Sequence, residues 1–372
     1  MLDKIKILYL QNTAQIGGAE KDLIALLEKL DKNLFTPFVA ISEEGPLTEE
    51  LRKLHIPYYL IPLYPWRKLK YFFLKYINIL RLDRLIKSLG INIIHSNDFW
   101  HFPYAKILKN LNPQIKIIAH VRGEVKRKKI LAYKLKEADK IVVVSYAIKS
   151  QLEKLNISSD KILVHYGYLN IDFLDGRKQS KKHDKFLVGT ITRLFSIKGL
   201  EYLIRAGKEI KKHIPDGKIV IIGSGDKSYI NYLQKLVKEL HLENYVSFLG
   251  YQKNIFKCLK VIDIFVLPSL SEGLGLAVLE AMSAAKPIIA TDIPAMRELL
   301  KNRVNALIVP VANHHAIAKA VIELYKDNKL REKLGKNAKE TFQNIYTPAK
   351  FLNQLQEIYL CLFQQESVHP SV

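Results

Sequence analysis

The strongest constraint on this 372-residue chain is an alternation that runs from end to end: short β-branched runs separated by longer stretches with helical spacing. Consecutive strands of that kind lie parallel, because each helix carries the chain back to the edge where the last strand began. In the first half, strands are expected at Lys4 to Leu10, Pro37 to Ser42, Ile91 to His95, Ile115 to His120, Lys140 to Ser145 and Ile162 to Tyr166. The second half repeats the pattern at Phe186 to Ile191, Lys218 to Gly223, Val246 to Leu249, Ile264 to Pro268, Pro287 to Thr291 and Ala306 to Val309. Between them Asp175 to Asp184 is polar, charged and without apolar period, which reads as a linker. The fold class is therefore α/β, with two units of a size that buries its own core.

A final helical pattern, Ala349 to Phe363, carries Phe351, Leu352, Leu355, Ile358, Tyr359, Leu362 and Phe363 on one side and must pack on something. The tail after Gln364 is expected to be disordered. The apolar cluster within Met1 to Leu10 is too short for a signal peptide and reads as a first strand. No run of 18 apolar residues lacks a charge. Cys258 and Cys361 stand far apart and match no disulfide or metal-ligand spacing. These readings point to a reducing, cytoplasmic setting.

The net charge is +22, and it is concentrated. Residues 52–161 hold 23 Lys/Arg against 7 Asp/Glu. Such a field attracts phosphate-bearing partners, whether nucleic acid, anionic lipid or a diphosphate, although a lysine-rich composition alone would produce it too. Within this region Leu69, Phe72, Phe73, Tyr76 and Ile79 form one helical stripe, with Lys68, Tyr71, Lys75 and Asn78 on another face. A stripe of that kind ordinarily packs into a core, while interleaved aromatic and basic residues also suit a headgroup interface at the inner face of a membrane. Lys126 to Lys129 adds a second basic cluster.

Four segments carry chemistry. Ser271 to Met282 follows the expected strand ending at Pro268 and runs through Glu272, Gly273, Leu274 and Gly275 into a helix that holds Glu280. Glycines at such a turn expose backbone amides, and the helix dipole favours an anion at the carboxyl edge of a sheet. Glu280 has apolar neighbours on both sides and needs a donor, which a ribose diol would supply. Thr192 to Gly199 places Arg193 and Lys198 five apart in a loop that opens a helix, where a planar fork and a point charge would neutralise a diphosphate. Ile16 to Glu20 sets Gly17 and Gly18 between the first strand and first helix. His120 closes a strand at the edge where open sheets bind ligands, and His95 is a comparable strand-end histidine read as structural. Gly223 and Gly225, after the second strand of the second half, complete the candidate donor-binding set.

The Glu272 and Glu280 pair, seven residues between them, resembles the hallmark of the retaining GT-B glycosyltransferases, specifically glycosyltransferase family 4. Ala285 to Asp292, Glu298, Asn305 to Pro310 and Gly250 to Ile255 are similar to further segments of that family, so the likeness covers essentially the whole second half. It implies two Rossmann-like domains facing a cleft: an acceptor-binding domain 1–174 completed by helix 349–364, a hinge 175–185, and a donor-binding domain 186–348. It also implies that Arg193 and Lys198 bind the nucleotide diphosphate, that Glu280 holds the ribose and that Glu272 and His120 meet the transferred sugar. The loop with Gly17 and Gly18 would lie near the diphosphate. Around His120 the chain departs from the family, continuing Val121-Arg122-Gly123-Glu124.

The expected function is retaining transfer from a UDP- or GDP-linked sugar to a hydroxyl of a lipid-linked, lipopolysaccharide or other cell-surface glycan. No further cofactor is expected. No Asp-x-Asp occurs and no His, Cys or Glu cluster has ligand spacing, so no metal is expected either. A nucleotide-sugar epimerase of similar two-domain fold remains an alternative. A nucleic-acid-binding role has the charge but no recognised module with stacking aromatics, so no nucleic-acid partner is expected. An NAD enzyme would need the missing dinucleotide fingerprint.

Overall fold

The computed structural model describes residues 4–167, 185–345 and 348–364. The expected linker falls outside these apart from Lys185, as does the tail after Gln364. The chain divides into two compact units, Met1–Leu169 with Pro348–Val372, and Asn170–Thr347.

The first unit holds a parallel sheet of strands β1 (Ile5–Gln11), β2 (Phe35–Ile41), β3 (Tyr58–Leu60), β4 (Ile93–Ser96), β5 (Lys116–Val121), β6 (Lys140–Val143) and β7 (Ile162–Val164). Their order across the sheet is β3-β2-β1-β4-β5-β6-β7. Strand β1 is buried along nearly its whole length, as a central strand covered on both faces must be, and it pairs with β2 on one side and β4 on the other. The order reverses between β1 and β4, which sends right-handed crossovers to opposite faces.

The second unit repeats this plan with β8 (Leu187–Ile191), β9 (Lys218–Ile222), β10 (Val246–Gly250), β11 (Ile264–Leu267), β12 (Ile288–Thr291) and β13 (Leu307–Val309). Their order is β10-β9-β8-β11-β12-β13, with the reversal between β8 and β11. Side-chain caps fix several helix starts here: Asp226 accepts from the Tyr229 amide, Asn254 from Lys257 and Asn313 from Ala316.

All twelve expected strands are present, displaced by two residues at most at either end. The structure adds β3, a three-residue edge strand between Pro57 and Pro62 whose length gives too little alternation to read. The final helix, Pro348–Gln364, belongs to the first unit. Leu355, Tyr359 and Leu362 are buried with Ile7, Tyr9 and Phe35 in that unit's core. The Tyr359 hydroxyl lies 3.1 Å from the Tyr9 hydroxyl and 2.7 Å from His95 Nδ1, which ties the helix to β1 and β4.

One expectation is reversed. Of the stripe Leu69, Phe72, Phe73, Tyr76 and Ile79, only Ile79 is buried; the other four, on helix Phe72–Leu89 and the turn before it, face outward. Lys75 and Asn78 turn inward instead, because each finds a backbone oxygen there. Lys75 Nζ donates to the Trp66 carbonyl at 2.6 Å and sits over the Trp66 ring, and Asn78 Nδ2 donates to the Pro62 carbonyl at 2.7 Å. Held this way, the two polar groups fix the helix's rotation, and burial lowers the Lys75 pKa from its ordinary value.

Tyr359→Phe keeps the ring in the core but leaves His95 Nδ1 without its partner. A buried polar group stranded in this way costs about 1–3 kcal/mol, so the variant is expected to unfold at lower urea concentration than the parent. An unchanged midpoint would mean that the helix is held by apolar packing alone.

Candidate functional site

In the second unit the loops after β8 and β11 are neighbours, because these strands flank the reversal point. After β8, Ser196–Lys198 forms a single 3₁₀ turn and Gly199 opens helix Leu200–His213 at φ +58°. A Cβ at Gly199 would lie 2.3 Å from the Pro268 carbonyl oxygen, so glycine lets the two loops touch. The Leu270 amide donates to the Ile197 carbonyl at 2.8 Å and binds the loops together.

This contact brings two of the expected residues into direct partnership. Lys198 Nζ donates to both carboxylate oxygens of Glu272 at 2.7 Å, and Ser269 Oγ donates to Glu272 Oε1 at 2.7 Å. Ser269 is in turn anchored by Thr291 Oγ1, which donates to its carbonyl at 2.5 Å. The lysine keeps one of its three donors for a ligand. Arg193 is exposed, with its guanidinium over the Phe195 ring. Gly275 caps helix Leu276–Ser283 at φ +89°, and Glu280 is buried one turn inside that helix. Leu274 is buried beside it, and Gly273 is partly exposed.

Gly223 and Gly225 have a packing reason for being glycine. A Cβ on Gly223 would meet the Thr192 carbonyl oxygen at 1.8 Å, and one on Gly225 the Leu194 oxygen at 2.2 Å. Leu194 then exchanges backbone hydrogen bonds with Ser224 and Asp226, so these glycines shape the loop that carries Arg193.

In the first unit the equivalent reversal lies between β1 and β4, and a polar network grows from it. Gly17 precedes helix Gly18–Lys29, and its amide donates to Glu20 Oε2 at 2.9 Å. The Gly17 amide is therefore committed to the chain itself. Gln11 Nε2 donates to Glu20 Oε1, and Asn97 Nδ2 to Gln11 Oε1, both at 2.7 Å. Arg122 completes the network: Nε donates to the Asn97 carbonyl at 2.9 Å, one terminal nitrogen to Asp22 Oδ2 at 2.5 Å, and the other to Asn97 Oδ1 at 2.6 Å.

That last nitrogen also lies 3.1 Å from His120 Nδ1. A guanidinium only donates, so Nδ1 must accept, and the ring proton is assigned to Nε2. His120 is 2% exposed, and its Nε2 meets no hydrogen-bond partner among the described residues. It is a buried donor that the fold leaves for something else. Burial, and then the Arg122 charge, holds its pKa well below 6.5. His95, packed against it, is pushed down to about 3 by burial, with Arg122 adding to the effect.

Sequence spacing gave no sign of this cluster, which gathers Asp22, Asn97 and the His120 and Arg122 pair from three separate segments. Ligand atoms of Asp22, His120 and His165 come within 4.8 Å of one another, a geometry that could hold a cation. The Arg122 guanidinium already occupies Asp22 and His120 Nδ1, and the His165 Nδ1 accepts from the Gly167 amide. A permanent cation beside the donor set works against a second one.

Residues 173–341 match the family model for glycosyl transferases group 1, and residues 16–173 that for glycosyltransferase family 4. The chain is 26% identical over 238 residues to the N-acetyl-alpha-D-glucosaminyl L-malate synthase of Bacillus anthracis, covering 62% of this chain and 61% of that protein. It is 25% identical over 385 aligned positions to the UDP-Gal:alpha-D-GlcNAc-diphosphoundecaprenol alpha-1,3-galactosyltransferase of Escherichia coli, covering 96% and 97% of the two chains. Several other curated relatives are matched over about three fifths of their length or less. Among solved structures, HepE of Anabaena in complex with UDP and glucose aligns with a TM-score of 0.84 at 19% identity, over 95% of this chain and 99% of that one. The last likeness is one of fold.

The buried histidines make stability depend on pH. Unfolded, His95 and His120 titrate near 6.5, while both folded values lie below that. Below pH 6.5 the unfolded chain binds more protons, so stability falls as pH falls, by up to about 1.4 kcal/mol per unit for each histidine. The urea midpoint is expected to be lower at about pH 5.5 than at about pH 7, and His120→Gln to show a shallower dependence. Equal slopes in the two proteins would mean that folded His120 takes up its proton normally.

Proposed function

The chain belongs to the family 4 glycosyltransferases of GT-B fold, and from that membership we propose that it transfers a hexose from a UDP-linked sugar to a hydroxyl of a lipid-linked or cell-surface glycan, with retention of configuration and no catalytic metal. The observation that carries the reading is the Lys198 and Glu272 pair beside Arg193, on the two loops at the reversal point of the second sheet. Loops at such a point are where open α/β sheets hold nucleotides.

In this reading Arg193 and the remaining donor of Lys198 bind the diphosphate, and Glu280 accepts from the ribose hydroxyls. Glu272 both fixes Lys198 and accepts from the sugar. The bond from the anomeric carbon to the β-phosphate oxygen breaks, its electron pair passing to the phosphate. The acceptor oxygen bonds to the same face of that carbon, and its proton passes to the departing diphosphate. The two cations stabilise the charge that develops on the leaving group, the work a divalent ion does elsewhere. His120 offers its Nε2 proton to a sugar hydroxyl, and Arg122 keeps that proton in place.

The UDP-linked donor is supported by the names of the relatives, one acting with UDP-Gal and one solved with UDP and glucose. A lipid-linked acceptor is supported by the Escherichia coli relative, whose acceptor is a diphosphoundecaprenol. Such an acceptor would bring the protein to the surface of a membrane. Incubation with UDP-sugars alone, followed by NMR, separates transfer from epimerisation. An epimer formed without acceptor would replace this reading with the isomerase one.

Turnover is expected to persist in excess EDTA, and loss of activity restored by Mg²⁺ would end the metal-free assignment. Lys198→Ala and Glu272→Gln are each expected to lower kcat by roughly 10². Because the two side chains act as a pair, the double variant should lose little more than the worse single one, a coupling above about 1 kcal/mol. Additive losses would give the two residues independent roles.

A further inference from the structure

The outward face of helix Phe72–Leu89 has no role in the chemistry above. Leu69 is 84% exposed and Phe73 79%, and Phe72, Tyr76, Ile77 and Leu80 are exposed with them. A contiguous apolar face of this kind on a folded unit marks a contact surface. It is not an accident of a poorly anchored helix, since Ile79, Leu82 and Ile86 are buried on the opposite side and Lys75 and Asn78 hold the rotation.

The surroundings of this face carry one sign of charge. Not a single Asp or Glu occurs between Glu50 and Asp83. Arg67, Lys68 and Lys70 are exposed at the start of the apolar run. Arg81 and Arg84 are exposed one turn beyond Ile77 and Leu80 on the same side of the helix. The neighbouring helix Arg127–Ala132 adds exposed Arg127 and Lys128, with Leu131 exposed among them. Lys129 Nζ of that helix lies over the Trp100 ring, and Trp66 packs edge-on against Tyr104 four residues further on, so both basic segments flank the same stretch of chain.

We propose that this face is the site by which the protein lies on an anionic lipid bilayer, with Leu69, Phe72, Phe73 and Tyr76 among the acyl chains and the arginines and lysines at the headgroups. Charge complementarity selects this occupant. A second copy would bring one cationic rim against another, whereas a bilayer supplies apolar depth and a negative surface together. No helix among the described residues is long and apolar enough to cross a membrane, so the helix lies in the interface. The inference rests on the transferase reading for its purpose alone, since it explains how a lipid-linked acceptor would be reached.

The test is sedimentation of the full chain with vesicles of phosphatidylglycerol and phosphatidylcholine, and with phosphatidylcholine alone. The parent is expected to partition at least about tenfold more strongly onto the anionic vesicles. Phe72→Ser/Phe73→Ser/Tyr76→Ser should lower that partition by about tenfold or more, and Lys68→Glu/Lys70→Glu by a similar factor. Both variants should keep the parent's thermal unfolding and its stabilisation by UDP, which shows that they fold. Equal partition of parent and triple variant, or no partition of the parent, would overturn the proposal. So would a parent dimer that the triple variant abolishes, which would give the face to a second copy. Absence of UDP stabilisation in the parent, with its partition onto anionic vesicles intact and lost in the variants, would instead count against the transferase reading.

Discussion

Everything in this molecule that has chemistry to offer depends on the parallel strand pairing. A parallel sheet buries its hydrogen-bonding groups between strands and leaves its loops at two edges, and where the strand order reverses no crossover covers the space between adjacent loops. The sequence meets this situation twice, between β1 and β4 and between β8 and β11. In each unit most of the polar groups at that point are held by one another, His120 Nε2 being an exception among the described residues. One unit uses a carboxylate held by a lysine and a serine, the other a guanidinium held by a carboxylate, an asparagine and a histidine.

These networks set how the sites respond to a ligand. A buried ion pair gains little net stability, since the cost of taking both charges from water roughly cancels their attraction. What it secures is geometry. Lys198 is held by two bonds to Glu272 and needs no reorganisation to present its third donor, and His120 is fixed in one tautomer by a guanidinium that can only donate.

The strands were legible because their β-branched runs are long enough to show a period and are bounded by turn residues. β3 was not, since three residues between prolines show none. The turn with Glu272 and Gly275 was legible from glycine spacing and family likeness, but its direct bond to Lys198 was not, because 74 residues separate the two and the pairing of β8 with β11 brings them together. Arg122 was visible merely as a departure after His120, and its partners lie on other strands and helices. Helix Phe72–Leu89 shows the limit of periodicity: most of the stripe favoured for the interior faces outward, and Lys75 and Asn78 from the polar face are buried beside Ile79. A lysine that reaches a backbone carbonyl can be the buried side, and that depends on where Trp66 sits and not on the helix itself.

The helix Pro348–Gln364 makes the first unit discontinuous in the chain, because Leu355, Tyr359 and Leu362 fill a core whose other walls come from residues between Ile5 and Val142. On a ribosome the second unit has its whole sequence available before the first does. The earlier segment must wait, with Tyr9, Phe35 and His95 lacking their last partner, until residues 348–364 have been made. Of the two units, the one begun first is completed after the other, and the interval between is when that open core is most exposed to chaperones and to misassociation.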